Sequence, residues 1–105
     1  MLKVYTKMIG VLGMLGDTLE AIERRDKDLG NQLRRAATSL ALNIAEGSES
    51  HRGNKVARYR TALGSARETG ACLDVAIALG YVEEVDEALL ARLDEVRAML
   101  AALVK

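Results

Sequence analysis

Apolar residues recur at alternating steps of three and four along most of the chain, the spacing of an amphipathic helix, and no stretch shows the strict alternation of a half-buried strand. Glycines at 30, 47, 53 and 80 divide this pattern into four segments. In the first, Val4, Met8, Val11, Leu15, Leu19 and Ile22 form one stripe that runs into the charged cluster Arg24, Arg25, Asp26, Lys27, Asp28. The second carries Leu33, Ala36, Ala37, Leu40 and Ile44, with Asn31 expected as its N-terminal cap and Gly47 as its left-handed terminator. Val56, Tyr59, Leu63, Ala66, Gly70, Leu73 and Ile77 give the third segment a coiled-coil-like seam, with Asn54 as the expected cap. The fourth has Val85, Leu89, Leu93, Val96, Leu100 and Leu103, preceded by Glu83, Glu84, Asp86 and Glu87, whose charges suit a helix N-terminus. Short connections make successive helices antiparallel, so the expected fold is all-α: an up-down-up-down four-helix bundle in a single domain over residues 1–105.

Composition supports the same architecture. The 105 residues contain no Pro, Trp or Phe and three Tyr, so the core must be built from aliphatic residues and alanine, which suits closely packed helices. Gly10, Gly13 and Gly16 inside the first helix, and Gly64 and Gly70 inside the third, each forgo about 1 kcal/mol of helix propensity relative to Ala. Close backbone approach to another helix or subunit would offset that; a frayed helix held by its packing is the alternative. The single cysteine, Cys72, excludes an internal disulfide and fits a reducing cytoplasm. The apolar run from Met8 to Gly16 passes into acidic residues on a helical period, which favours a bundle helix over a leader peptide. No run reaches the roughly 20 apolar residues of a membrane span, so a cytoplasmic protein without a membrane partner is expected.

Fifteen basic residues balance fifteen acidic ones, and net charge therefore argues for neither nucleic acid nor membrane. The distribution is uneven: residues 1–80 hold 12 basic and 9 acidic side chains, residues 81–105 hold 3 and 6. Arg34, Arg35, Arg52, Lys55, Arg58 and Arg60 gather in the second and third segments, and a nucleic-acid-binding patch at the junction of helices 2 and 3 is the functional reading. Solvated charges balancing the acidic fourth helix are the competing one. Few aromatic residues are available for base stacking.

Gln32, Arg35, Ser39, Asn43 and Glu46 fall in one band flanking the apolar stripe of helix 2. A structural polar network of Ser39, Asn43, Glu46 and Glu68 is expected at a helix or subunit interface, with Arg35 or Arg67 as the cation for Glu46. Thr61, Ser65, Glu68 and Cys72 form a second band, placed opposite the helix 3 seam. Catalytic chemistry has little to build on. His51 is the lone histidine, so paired Glu-x-x-His di-iron motifs and His-Cys zinc patterns are excluded, and neither metal nor cofactor is expected. Gly47 to Lys55 lacks both the spacing and the preceding strand of a phosphate loop. Cys72 reads as a packing residue and His51 as a loop residue; an enzyme using Glu46 or Glu68 is the weakest reading.

The stretch Gln32 to Gly47, the cluster Leu63, Gly64, Ser65, Glu68, and Leu79-Gly80-Tyr81 together resemble the small bacterial four-helix proteins of the 23S rRNA intervening-sequence family. That resemblance implies a homo-oligomeric ring, with five subunits expected and helices of adjacent protomers in contact. It also implies kinship of fold with the accessory protein of diversity-generating retroelements, a ring that binds a reverse transcriptase and nucleic acid. Where family members commonly carry a proline in helix 2, this chain has Ala41 and Leu42, so a straighter helix is expected. Ala41 and Ala45 are read as parts of small-residue faces suited to oligomerisation. The function these readings favour is a noncatalytic oligomeric scaffold or adaptor for a protein or ribonucleoprotein partner, with direct RNA or DNA binding as the alternative.

Overall fold

A computed structural model describes residues 2–105. Four helices follow one another: α1 (Lys3–Arg25), α2 (Lys27–Ser48), α3 (Arg52–Ala78) and α4 (Glu87–Leu103), and no strand occurs among the described residues. Each helix packs on its two neighbours in chain order and α1 closes against α4, giving an antiparallel up-down-up-down bundle about 42 Å long. The predicted stripes of α1 and α2 are buried at every position, Val4 to Ile22 and Leu33 to Ile44.

The helix ends depart from expectation. Asn31 lies inside α2, whose true cap is Asp26: its carboxylate accepts from the Leu29 amide at 3.0 Å, while its own amide donates to the Ile22 carbonyl and ends α1. One extended residue thus turns the chain. Gly47 is helical and buried, not a left-handed terminator: α2 runs on to Ser48, and the Tyr59 ring occupies the space that a Cβ on Gly47 would need. Asn54 likewise lies within α3, which starts after His51 without a side-chain cap. Gly80, at φ +74°, is the left-handed residue among those described, and the Gly80 and Tyr81 amides donate to the Ile77 and Ala76 carbonyls in the paired pattern that closes a helix C-terminus.

α3 is rotated relative to the predicted seam. Tyr59, Leu63, Ala66 and Leu73 are buried as expected, but so are Ala62, Ser65, Thr69, Cys72 and Ala76, whereas Ile77 is exposed and Val56 only half-buried. The band placed away from the core therefore supplies Ser65 and Cys72 to the interior, and Ser65 bonds to Ser39 across the α2–α3 contact, the most extensive between any two helices. Small side chains there let the axes approach closely. Val85 is buried in the connection rather than within α4, whose N-cap Asp86 accepts from the Ala88 amide at 2.8 Å. No helix is long and apolar enough to cross a membrane among the described residues.

Candidate interaction surfaces

The six basic residues do not form one patch. Arg34 and Arg35 sit in the first half of α2, and the 14 positions from Arg34 to Ser48 put them roughly 20 Å along the bundle from the start of α3. Arg34 is engaged by Glu23 of α1 at 2.8 Å, and Arg58 by Glu46 at 2.8 Å. Arg52 and Lys55 stand in the first turn of α3, which has no acidic residue. Successive steps of three turn Arg52, Lys55 and Arg58 by about 60° each, and Arg60 projects from another side of the helix. Sequence proximity is therefore a poor guide to their grouping.

The expected polar network is divided as well. The Asn43 side-chain amide donates to the Ser39 carbonyl at 2.9 Å and to its hydroxyl oxygen at 3.1 Å, and the Ser65 hydroxyl bonds to that of Ser39 at 3.1 Å. Thr69, fully buried, donates to the Ser65 carbonyl at 2.8 Å. This forms a short polar ladder across the α2–α3 contact, and buried side-chain polar atoms among the described residues are all hydrogen-bonded. Glu46 stands apart from it, paired with Arg58 instead of Arg35 or Arg67, because the turn after Ser48 folds the start of α3 back alongside it. Glu68 is exposed and in no ion pair among the described residues.

At the opposite end of the bundle, a polar cluster absent from the sequence reading joins the α1–α2 turn to the α3–α4 connection. The Tyr81 hydroxyl donates to Asp26 at 3.0 Å, and the Arg25 guanidinium lies 5.5 Å from the centre of the Tyr81 ring. The Leu29 amide and then the Tyr81 hydroxyl stabilise the Asp26 carboxylate and hold its pKa below the ordinary value. The signal was present as Arg25-Asp26 and Gly80-Tyr81, but only the fold brings these pairs together. Cys72 is buried; desolvation and then the charge of Glu68 push its thiol up, keeping it protonated and a poor nucleophile. Among the described residues no group of three or more His, Cys, Asp or Glu side chains is placed to hold a metal ion.

Outside the core, aliphatic side chains remain on every helix: Ile9, Leu42, Val75, Ile77, Leu90 and Leu103, with Leu79 just past α3. Leu42 and Leu79 are 56% and 57% exposed. A groove of about 330 Å³ between α3 and α4 is lined by the small or apolar Ala66, Gly70, Ala71, Leu90 and Leu93 and by the charged Arg67, Asp74, Asp94 and Arg97. Ala41 is not part of an outer face, since it lies in the core, while Ala45 is half-buried.

These features define a small all-α bundle with a closed, satisfied interior and apolar side chains left on its exterior. Residues 2–102 match the family described as 23S rRNA-intervening sequence protein. The chain belongs to this family. Its fold is similar to the crystal structure of a protein of unknown function from the S23 ribosomal protein family of Bacteroides thetaiotaomicron, with a TM-score of 0.84 at 20% identity over 97% of this chain and 98% of that one. Comparison with curated proteins gives no match.

Proposed function

We propose that this protein is a noncatalytic, self-associating scaffold or adaptor of the cytoplasm, whose copies assemble into a ring and present a repeated surface to a protein or ribonucleoprotein partner. The observation that carries the reading is the set of aliphatic side chains left exposed on all four helices of a bundle whose core is already complete. A contiguous apolar patch marks contact with other macromolecules, and on this reading these side chains are covered where copies of the chain or a partner meet. Size-exclusion chromatography with light scattering, absorbance being read at both protein and nucleic-acid maxima, tests it directly. A mass several times the 11.4 kDa of the chain with a protein-only spectrum is the expected result; a monomer at micromolar concentration refutes it.

A second reading is direct nucleic-acid binding at the α2–α3 junction, favoured by Arg52 and Lys55, neither of which has a carboxylate partner among the described residues. A ring would repeat these cations and multiply their phosphate contacts. It predicts affinity whose logarithm falls with log salt by about 0.9 per phosphate contact on duplex DNA, and whose slope shrinks on replacing Arg52 and Lys55 with Ala. Binding unaffected by both replacements ends this reading.

A further inference from the structure

α3 carries two faces of helical contact, and the bundle uses one. On its outer side Ala57, Gly64, Ala71 and Ala78 recur at steps of seven, with Thr61, Glu68 and Val75 four residues after the first three. Seven residues fall about 20° short of two full turns, so these positions share one narrow face. All seven are exposed; Ala71 also borders the α3–α4 groove, and Ala57 and Thr61 border a groove beside Ser50 at the end of α2. A Cβ added to Gly64 would meet nothing within 4 Å, so no contact within the chain accounts for a glycine there.

The charges beside this face complement one another under a twofold axis. Arg60, Arg67, Glu68 and Asp74 are exposed and take part in none of the ion pairs among the described residues. We propose that the outer face of α3 is the contact between two copies of this chain, the two α3 helices running antiparallel about a twofold axis between Arg67 and Glu68. In this register Ala57 faces the partner's Ala78 and Gly64 the partner's Ala71, so small residues meet at these layers, on either side of the central Arg67 and Glu68, and the backbones approach closely there. Arg67 meets the partner's Glu68, and Arg60 reaches the partner's Asp74 while its stem covers the partner's Val75. The axis repeats each pair. A slide of one heptad sets Gly64 against itself and leaves Ala78 opposite the partner's Ser50, outside the helix. The inference rests on the self-association proposed above and adds its surface and symmetry. A twofold contact differs from the head-to-tail contact that closes a ring, and it joins one ring to another.

Cysteine cross-linking with the full chain tests the register. In a Cys72→Ala background, Gly64→Cys and Ala71→Cys chains are prepared separately, checked for helicity by circular dichroism, then oxidised singly and mixed. The expected result is a covalent dimer in the mixture and none from either chain alone. A Gly64→Cys homodimer matching the mixed product in yield overturns the register. Oligomers that light scattering detects in the parent but that yield no 64-to-71 disulfide overturn the α3 contact and leave self-association standing; a parent monomeric at all concentrations overturns both. Charge exchange gives a second readout. Arg67→Glu or Glu68→Arg alone raises the dissociation constant of the twofold contact roughly tenfold by opposing like charges, and the double exchange restores it. Failure of the double variant to recover overturns the pairing.

Discussion

Replacing Gly47 by Ala sets two opposing effects against each other at one atom. Gly47 lies in the last turn of α2 with an ordinary right-handed backbone, so alanine suits its conformation and gains up to about 1 kcal/mol of helix propensity. The added Cβ, however, would lie 2.5 Å from Cε1 and 2.7 Å from Cδ1 of Tyr59, where carbon contacts ordinarily settle at about 3.5–4.0 Å. Tyr59 is 2% exposed, so its ring has little room to retreat, and relief requires the α2 and α3 backbones to separate. Overpacking of this kind costs about 1–3 kcal/mol. With a rigid ring as the obstacle the upper part of that range applies, and the net result is a loss of about 1–2 kcal/mol after the propensity gain.

Thermal denaturation followed by far-ultraviolet circular dichroism at fixed protein concentration measures the effect, expected as a fall in Tm of roughly 4–8 °C. Combining the change with Tyr59→Leu removes the ring and should abolish or reverse the cost of Gly47→Ala, which a double-mutant cycle reads as coupling. A Gly47→Ala variant as stable as its parent would refute the claim that this glycine exists for helix approach.

Gly13 supplies the converse case: its added Cβ meets nothing within 4 Å, so Gly13→Ala should stabilise the fold by about 0.5–1 kcal/mol, measured in the same melts. Ser65→Ala removes the hydroxyl link between α3 and Ser39 and should cost about 0.5–1.5 kcal/mol in urea titrations, with less than additive loss when combined with Ser39→Ala. Asp26→Ala removes the α2 cap and the Tyr81 partner together, lowering Tm at neutral pH. Because the folded pKa of Asp26 is depressed, its contribution is present above the unfolded carboxylate value of about 3.9 and is lost as pH falls through the folded value, so parent and variant melts should converge in acid. Equal separation at neutral pH and well below the unfolded value would contradict that assignment.

The legibility of the sequence differs from helix to helix for a physical reason. On α1 and α2 the larger apolar residues, such as Met8, Leu15, Leu33 and Leu40, mark the buried side, and their stripes read correctly. On α3 the partners include the small-residue side of α2, and burial of Ala62, Ser65, Thr69, Cys72 and Ala76 leaves no mark in hydrophobic patterning. Glycine is ambiguous in the same way. Gly30 and Gly47 read as terminators, yet both lie inside α2, where an added Cβ would run into Glu23 and Tyr59 respectively. Asn31 and Asn54 show the cap chemistry without the position, since Asp26 captures the Leu29 amide first and the chain enters α3 already helical beyond His51. The Glu46–Arg58 pair and the Asp26–Tyr81 bond depend on which side chains the turns bring together, which residue spacing does not encode.

Small residues on α3 carry one consequence further. A helix buried on one side needs a single apolar or small face, and its opposite side is free to take long, charged, strongly helix-favouring residues. α4 follows that design in part, with Asp94, Glu95 and Arg92 exposed around the buried Leu89, Leu93 and Val96, beside the exposed Ala91 and Ala98. α3 departs from it: Ala62, Ala66 and Ala76 are buried inside, while Ala57, Gly64, Ala71 and Ala78 recur outside. Solvation alone requires neither the recurrence at seven nor a glycine at its second position, whereas a helix approaching closely from outside would require both. The same closeness that the chain achieves between α2 and α3 with alanine, serine and glycine is then available a second time on the outer side, and Gly64 is the position at which the two explanations separate. Under solvation alone Gly64→Leu should raise stability and leave the oligomer mass unchanged; under an outer contact it should leave the bundle folded and remove the twofold species.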